Sequence, residues 1–569
     1  MVLDSNGGCA IDQLPLHERR VLRRIWEIFA GQSFDEGKLR MLTVERMSGM
    51  DIQLAFLSLR EQGYIQAMKQ GWGERLYFVP FAKRKALYRA FGGYIAPASP
   101  SANVELSQEG TCGISVDMFN VLVYVIKHEV AVTSKGVLHK RHIQRLAEII
   151  ALSQVDAEQL DLQYVHQDAY PAQVAVILDA LFYFGLISVS RAKLSLNSAS
   201  VEAWLELTRE ATDRLIFNMM MERFVPSLPA YQHFTWRLCD ASLNRGHWYA
   251  AEFMLMGSRH DDGVGAVTAP TLLSNGDIMP WLCFMAGCGY MDIGRNAGGN
   301  LFVRWRVEPG RLLQSEPHEE RCTEAGGTLY VQPDFELLLP PEVPMKIKFT
   351  TALFTERVTD DWMTVYRLTR DSIWQAAAIG IESECIVPFL QKQTSSGIPD
   401  NVMTALRFWS AENESLSIQD NREDSRLANL FEGNQSIYGG FTAASSGSIN
   451  RVMINGIRGQ HELQYELDET LPERNDVLPP LDHLPLMWVR DWRSYHSSTA
   501  KQMMEEALNI SAKLEICVDG NRMEFVPHQL VRHPWAITGV IYEQDSDKEG
   551  VIVQLQDGEW KEMRLIIPS

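Results

Sequence analysis

Few residues in this chain have the types and spacing that catalysis by a metal requires. Glu559 and Lys561 form an E-x-K motif on a predicted strand. With Asp519 or Asp545 upstream, they have the composition of a nuclease site, in which carboxylates hold a divalent metal and a lysine assists. Because E-x-K motifs often occur by chance, we expect surface charges on the edge of a β-barrel here rather than a metal centre.

Neither the cysteines nor the histidines are spaced like metal ligands. Cys283 and Cys288 lie five positions apart on a predicted apolar helix and turn, so we expect core thiols. His128, His139 and His142 have neighbouring Lys and Arg residues, whose charges oppose a cation, and we expect a polar surface there. The sequence predicts no metal and no cofactor.

Motor chemistry is also not indicated. A helicase motor binds ATP through a G-x-x-x-x-G-K-[ST] loop, whose backbone N–H groups hold the phosphates, and the chain contains no such motif. No acidic box of the DEAH kind follows a strand either. We therefore do not predict enzymatic activity, although the E-x-K motif keeps a nuclease open as an alternative.

Length and composition indicate a soluble protein of several domains. The 569 residues suggest roughly three to five domains, and the chain is 46% hydrophobic and 22% charged. No secretory signal and no apolar run of about 18 residues is evident, so we expect no membrane association. The eight cysteines are scattered without a CxxC pair, which predicts a reducing, cytoplasmic location.

The charge is strongly negative but unevenly distributed. The net charge is −19, which argues against a protein that coats nucleic acid with its whole surface. Residues 1–92 contain 14 Lys and Arg against 10 Asp and Glu, whereas residues 411–480 contain 5 against 12. We therefore expect any nucleic-acid contact towards the N-terminal end.

Residues 14–92 have the element order of a winged helix. Apolar residues at helical spacing predict a helix ending at Gly31 and another over 51–62, followed by strands at 64–68 and 76–79. The face of the second helix that we expect to be exposed carries Asp51, Gln53, Ser58 and Glu61, with Arg60 as its only cation. This composition favours protein docking or nonspecific DNA contact over base recognition. The DNA-binding residues predicted here are Lys69, Trp72, Arg75, Lys83, Arg84 and Lys85.

Two further stretches repeat the theme. Residues 112–210 predict helices over 118–128, 135–150 and 171–184 and a strand over 186–189, and residues 226–312 predict a more diverged copy ending in a hairpin around 298–300. A loop over 92–113 separates the first copy from the second. The helix over 135–150 is the densest basic stretch, with two interpretations: a solvated face or a phosphate-binding surface. Its predicted DNA-binding residues are Lys135, Lys140, Arg141 and Arg145.

Residues 326–410 carry the most specific motifs. The strand VQPDFELLLP is followed by a YRLT-x-x-S-x-x-x-A-x-x-x-G helix, in which Thr369 is a good N-cap, and by a helix that begins with Pro399-Asp400-Asn401-Val402. This order resembles the N-terminal domain of helicases of the xeroderma pigmentosum B (XPB) type, and free-standing bacterial proteins that carry this module without a motor. The resemblance implies an accessory role in DNA metabolism such as repair.

The module that resembles helicases is itself acidic. Residues 328–410 contain 7 Lys and Arg against 10 Asp and Glu. We therefore expect it to form a structural hub or a partner-facing surface, while the basic stretches before residue 150 contact nucleic acid.

The C-terminal part divides into a linker and a small domain. Residues 411–485 are polar and acidic and predict a linker. Residues 488–569 predict a helix over 498–510 and five short strands, typical of a small Sm-type β-barrel, with a weak similarity to WYL-type ligand-sensing modules.

The expected fold class is α+β and multidomain, with tandem winged-helix units, a central helicase-N-terminal-like module and a C-terminal small β-barrel. The preferred hypothesis is a non-catalytic accessory protein that binds DNA without sequence preference and docks a helicase or nuclease partner. The alternatives are a winged-helix transcription regulator with a ligand-sensing barrel, and a metal-dependent nuclease.

Overall fold

The computed structural model shows a mixed α and β protein with small antiparallel sheets. It describes residues 11–69, 73, 75–92, 103–162, 164, 166–226, 228–240, 242–255, 274–313, 328–360, 363–381, 383–416, 466–478, 480–481, 483–543 and 550–568. Within these ranges lie 21 helices and 19 strands, and every pairing between named strands is antiparallel.

The first unit, residues 11–92, contains the helices and the hairpin expected from its sequence, together with a short strand between the first two helices that was not predicted. Val21, Leu22, Ile25 and Trp26 give its first helix a fully buried apolar face, which explains why the helix forms there. A further helix, not predicted, follows the hairpin and contains the Lys83–Lys85 run. The elements are α1 (Leu16–Phe29), β1 (Phe34–Asp35), α2 (Glu36–Arg40), α3 (Gly49–Glu61), β2 (Gln66–Lys69), β3 (Arg75–Phe78) and α4 (Phe81–Phe91).

The second unit, residues 112–205, has a similar order around a two-stranded sheet, with one additional short helix before the hairpin. A bridge from Ala131 to Lys193 takes the place of the first unit's β1 pairing. The elements are α5 (Ile114–Lys127), α6 (Lys140–Ile149), α7 (Gln154–Glu158), α8 (Ala172–Tyr183), β5 (Ile187–Ser190), β6 (Lys193–Leu196) and α9 (Ser198–Leu205). The basic helix is shorter than predicted, because Gly136 has a positive φ and a turn from Thr133 to Val137 precedes it.

The third unit, residues 209–313, has a four-stranded sheet in the order β4-β8-β9-β7. Its strand β4 (Glu105–Gln108) comes from the stretch expected to be a loop between the first two copies, so part of that loop is a strand. The other elements are α10 (Arg209–Arg223), α11 (Pro229–Leu238), β7 (Trp248–Ala250), α12 (Ala251–Leu255), α13 (Asn275–Gly287), β8 (Met291–Arg295), β9 (Leu301–Trp305) and α14 (Pro309–Leu312).

The central module, residues 328–416, combines a four-stranded sheet with four helices. The single predicted strand is two short strands, because a turn through Pro333 and Phe335 interrupts it and Gln332 N–H donates to the Glu336 carbonyl at 2.8 Å. The elements are β10 (Tyr330–Val331), β11 (Glu336–Leu339), α15 (Met345–Leu353), β12 (Glu356–Asp360), β13 (Thr364–Arg367), α16 (Arg370–Ala378), α17 (Ser383–Gln393) and α18 (Asp400–Leu416).

The C-terminal module, residues 484–568, is an open sheet with a helix against it. Its strands pair in the order β18-β17-β16-β15-β19, and no pairing between β18 and β19 occurs in the part of the chain that the structure describes. The closed barrel that we expected is therefore not found, although the predicted helix and five strands are. The elements from residue 466 onward are β14 (Glu466–Asp468), α19 (Arg474–Val477), α20 (Leu486–Arg490), α21 (Ser497–Asn509), β15 (Lys513–Val518), β16 (Asn521–Arg532), β17 (Trp535–Glu543), β18 (Val551–Gln556) and β19 (Met563–Ile566).

Two apolar cores hold these parts together. Buried side chains from Ile11 to Leu406 form one contiguous cluster, which spans the three units and the central module. A second cluster belongs to the C-terminal module and also takes in Met50 of α3. The C-terminal module therefore docks on the first unit, far away in sequence.

Candidate nucleic-acid interface

The basic surface of the second unit lies on the solvent-facing side of α6. His142, Ile143 and Leu146 turn inward and are buried, which leaves Lys140 and Arg141 exposed on the opposite side. The four predicted cations of this surface are all exposed, and Lys135 lies in the turn before the helix. One of them is partly neutralised, because the Arg145 guanidinium lies 2.7 Å from the Glu148 carboxylate. We call this set the α6 surface: Lys135, Lys140, Arg141 and Arg145.

The hairpin β5–β6 extends the α6 surface. Its two-residue loop, Arg191-Ala192, has positive φ at both positions, as in a tight type I′ turn, and Arg191 is exposed at the tip. Lys193 pairs with Glu129, and the pKa of that carboxyl is held low by Lys193 and also by Arg141. Arg141 and the hairpin therefore lie on the same side of the unit. Sequence reasoning missed Arg191 and Lys193, although a cation within a short hairpin loop and another directly after it were the available signal.

Two of the three histidines beside this surface belong to a packed cluster. The Tyr124 hydroxyl lies 2.8 Å from His142 Nδ1, and the Tyr124 ring is tilted by 48° against the His128 ring, with 4.4 Å between the centroids. Burial lowers the pKa of both His128 and His142, and the neighbouring cations lower it further. The neutral form of both rings is therefore favoured, and His128 and His139 are exposed, as expected for a polar surface, whereas His142 is buried.

Helix α8, which precedes the β5–β6 hairpin, cannot contact DNA bases in this structure. Every residue of α8 from Ala172 to Leu181 is buried. The Asp179 carboxylate on this helix is fully buried and forms a bidentate pair with Arg223 of α10, at 2.8 and 3.1 Å. The next unit thus covers the surface that would face a DNA groove.

The corresponding helix of the first unit, α3, is also largely covered. Asp51, expected on an exposed face, is buried because it forms a capping box with Ser48 at the helix start. Gln53 and Ser58 are half-buried, and of the predicted polar face only Glu61 is exposed. The covering elements are β14, which pairs with β2, the short helix α19 and the C-terminal module.

The predicted cations of the first unit have different environments. Lys69 is exposed, whereas the Arg75 guanidinium forms an ion pair with Asp468 at 2.7 Å. Lys83 lies over the Tyr64 ring at 5.0 Å. Arg84 is buried and donates to the carbonyls of Val79 and Gly31, so it is bound within the fold.

The two remaining predicted residues of the first unit add little to a surface. Lys85 is half-buried on α4, and Trp72 lies outside the described residues. The structure therefore does not gather the first-unit cations into one exposed patch.

The E-x-K motif does not have a metal-site geometry. The Glu559 carboxylate accepts the Gln556 N–H at 2.8 Å and so closes its own turn. Glu559 and Lys561 are exposed, and Asp545 lies outside the described residues. Among the residues that the structure describes, no group of three or more His, Cys, Asp or Glu side chains is arranged to hold a metal ion.

The central module is built as its motifs indicate. Thr369 and Ser372 form a capping box at the start of α16, and the Ser372 hydroxyl also donates to the Phe354 carbonyl at 2.9 Å. The Trp374 indole donates to the Trp409 carbonyl, which joins α16 to α18. Asp334 accepts the Glu336 N–H at 3.2 Å, so this carboxylate caps neighbouring backbone.

Comparison with known families supports a relation to helicases for this part of the chain. Residues 329–428 match the family model described as the helicase conserved C-terminal domain. The match covers under a fifth of the 569 residues, and it begins at the strand that carried our sequence resemblance. No curated protein is similar enough to the chain to count as a match. No helix among the described residues is long and apolar enough to cross a membrane.

Proposed function

We propose that the chain is a non-catalytic, helicase-associated protein that binds duplex or forked DNA without sequence preference and docks a helicase or nuclease during DNA repair or related DNA metabolism. The observation that carries this proposal is the helicase-family match, in a chain that also presents the exposed α6 surface. The central module would be of the XPB N-terminal type and would face the partner. The three units would be winged helices, for which their shared order of helices and hairpin is the support.

The α6 surface suits phosphate contact better than base recognition. Four exposed cations lie on α6 and the turn before it, and Lys193 lies near Arg141, since both act on the Glu129 carboxylate. Lys and Arg bind phosphate oxygens in any sequence context, and each neutralised phosphate makes binding more sensitive to salt. Because α8 is buried and α3 is mostly covered, neither helix offers base-reading side chains, which disfavours a promoter-specific regulator.

Charge reversal tests this proposal. The double variant Lys140→Glu and Arg141→Glu should weaken binding to a labelled duplex of about 20 base pairs by at least ~10-fold at ~100 mM salt. The slope of log affinity against log salt should also fall by about 2, because two phosphate contacts are lost. Fluorescence anisotropy between ~50 and ~200 mM salt measures both quantities.

A second double variant is the control. Lys346→Glu and Lys348→Glu makes the same change in net charge on the central module, and its binding should be closer to that of the wild type. Equal losses in the two variants would mean that only net charge matters, and the α6 surface would be the wrong site. No binding of the wild type at low salt would contradict the DNA-binding proposal itself.

A further inference from the structure

We propose that Arg60 and Arg75 of the first unit form a second phosphate-binding site, which the chain's own acidic strand β14 occupies in competition with nucleic acid. This proposal rests on the nucleic-acid binding proposed above. Strand β14 lies on the outer edge of β2, with Glu466 opposite Lys69, Leu467 opposite Met68 and Asp468 opposite Ala67. The segment that occupies this edge comes from almost 400 positions further along the chain.

The contact at Asp468 imitates a bound phosphate. The Asp468 side chain is only 6% exposed, and its carboxylate accepts from Arg75 Nε at 2.8 Å, while Arg75 Nη2 lies 2.7 Å away. Thr470 donates to the same carboxylate through its N–H and its hydroxyl. Burial opposes ionisation of Asp468, but hydrogen bonds from Thr470 and Arg75 hold its pKa below the ordinary value. An ionised oxyanion gripped by a guanidinium is the arrangement that a phosphate would make.

The Arg60 guanidinium has few hydrogen-bond partners while β14 is in place. Its side chain is buried, Nη2 donates to the neutral Thr470 carbonyl at 2.9 Å, and Nε has no hydrogen-bond partner among the described residues. Burial lowers the pKa of this guanidinium. The Tyr77 ring lies 5.5 Å from the guanidinium carbon, and Asp468 is near enough to favour the charged form, but neither forms a hydrogen bond with Arg60 among the described residues. A phosphate would offer charged acceptors for a bidentate contact. With β14 in place, Arg60 therefore lacks the anionic hydrogen-bond partner that a phosphate would supply.

The third unit shows that an added strand alone does not create such a site. There β4 covers the hairpin edge in the same position as β14, in the sheet order β4-β8-β9-β7 against β14-β2-β3-β1. The hairpin cations Arg304 and Arg306, however, both pair with Asp292 of the hairpin itself, and Glu109, the residue after β4, adds only a longer contact of 3.6 Å to Arg306. In the first unit the carboxylate comes from the added strand, so removing that strand would expose Arg60 and Arg75 together.

Releasing β14 tests the competition. Asp468→Lys places a cation against Arg75 and should detach the strand, whereas Glu469→Lys makes the same charge change at an exposed neighbour. We expect Asp468→Lys to bind a duplex of about 20 base pairs ~10-fold more tightly than Glu469→Lys, with a salt slope steeper by about 2. Adding Arg60→Ala and Arg75→Ala to Asp468→Lys should abolish that gain.

A second variant that releases β14 without changing the charge is the control for misfolding of Asp468→Lys. Leu467 is 54% exposed, so Leu467→Pro removes strand pairing without removing core volume, and it should also bind more tightly. Hydrogen exchange of the amides at 66–69 should become faster in both releasing variants, while exchange in α1 stays unchanged. Faster exchange without tighter binding, or a gain that survives loss of Arg60 and Arg75, would overturn the proposal. If this proposal fails but DNA binding of the wild type still depends on Lys140 and Arg141, the proposed function stands. If neither the wild type nor any variant binds DNA, the proposed function and the competition with β14 are both overturned.

Discussion

At the scale of a single residue, Asp213 is a buried carboxyl group whose ionisation is unfavourable in the folded protein. This residue lies at the junction of the second and third units, where its carbonyl accepts the Tyr290 hydroxyl at 2.9 Å. Burial raises the pKa of its carboxyl to about 6, although Arg209 and a hydrogen bond with Ser115 lower it somewhat. The folded protein therefore holds a proton that the unfolded chain releases, and this group makes folding less favourable as pH rises from about 4 to about 6.

Asp213→Asn should therefore stabilise the protein at neutral pH. The amide keeps the side-chain volume and removes the buried charge, so the free energy of unfolding at pH 7 should rise by about 2–3 kcal/mol. The gain should shrink as pH falls towards about 4, because both states of the wild type then approach full protonation. Urea unfolding across this range measures it, with the exposed Asp12→Asn as the control. A gain that does not depend on pH would contradict the assigned cause.

At the scale of single residues, the sequence identified candidate DNA-binding cations but did not always predict whether each side chain is exposed or buried. Lys140 and Arg141 are exposed, as both interpretations of the basic helix require. Arg84 was predicted to bind DNA because it lies in a basic run, but its side chain is buried between Val79 and Gly31. Only tertiary contacts from α1 and the loop after it determine that outcome.

At the scale of elements, the join between the second and third units depends on two glycines. Gly113 precedes α5 and Gly289 precedes β8, and both have positive φ. A Cβ on Gly289 would lie 2.5 Å from Gly113 Cα and 2.9 Å from Gly113 N, so neither backbone has room to move aside. The close approach fixes how the two units meet.

Gly289→Ala should therefore cost far more stability than a matched glycine substitution. Gly299 also has a positive φ, but a Cβ there would meet nothing within 4 Å. We expect Gly289→Ala to lower the free energy of unfolding by roughly 2–4 kcal/mol, and Gly299→Ala by about 1 kcal/mol, the cost of the left-handed backbone alone. Chemical denaturation of the two variants measures the difference. Equal losses would show that the contact with Gly113 is not rigid.

The sequence predicted most elements but not the contacts between distant ones. Helix α8 lies where its pattern indicated, and the five C-terminal strands form as expected, because local periodicity and turn residues specify them. Strands β4 and β14 were missed, since each is three or four residues long and exists only by pairing with a hairpin elsewhere. The site prediction failed for the same reason at Arg75, whose partner Asp468 is 393 positions away.

At the scale of the whole molecule, the chain closes on itself through α3. Met50 is fully buried in the core of the C-terminal module, and its N–H donates to the Ser511 carbonyl at 3.1 Å. Arg46 adds a hydrogen bond to the Glu543 carbonyl and lies over the Tyr542 ring at 5.5 Å. The N-terminal unit is thus held from two sides, by β14 on its hairpin and by the C-terminal module on its helix.

Met50→Ser should uncouple the C-terminal module from the rest of the protein. Truncation of a buried Met costs about 2–4 kcal/mol, and here the loss falls on the contact between the two parts rather than on the first-unit core. Calorimetry should show the C-terminal module melting in a separate, earlier transition in this variant. Met41→Ser is the matched control, because Met41 lies in the same unit but is 75% exposed, and it should leave the melting profile unchanged. A single transition shifted as a whole would mean that Met50 stabilises the first unit alone, and the C-terminal module would then be held by other contacts.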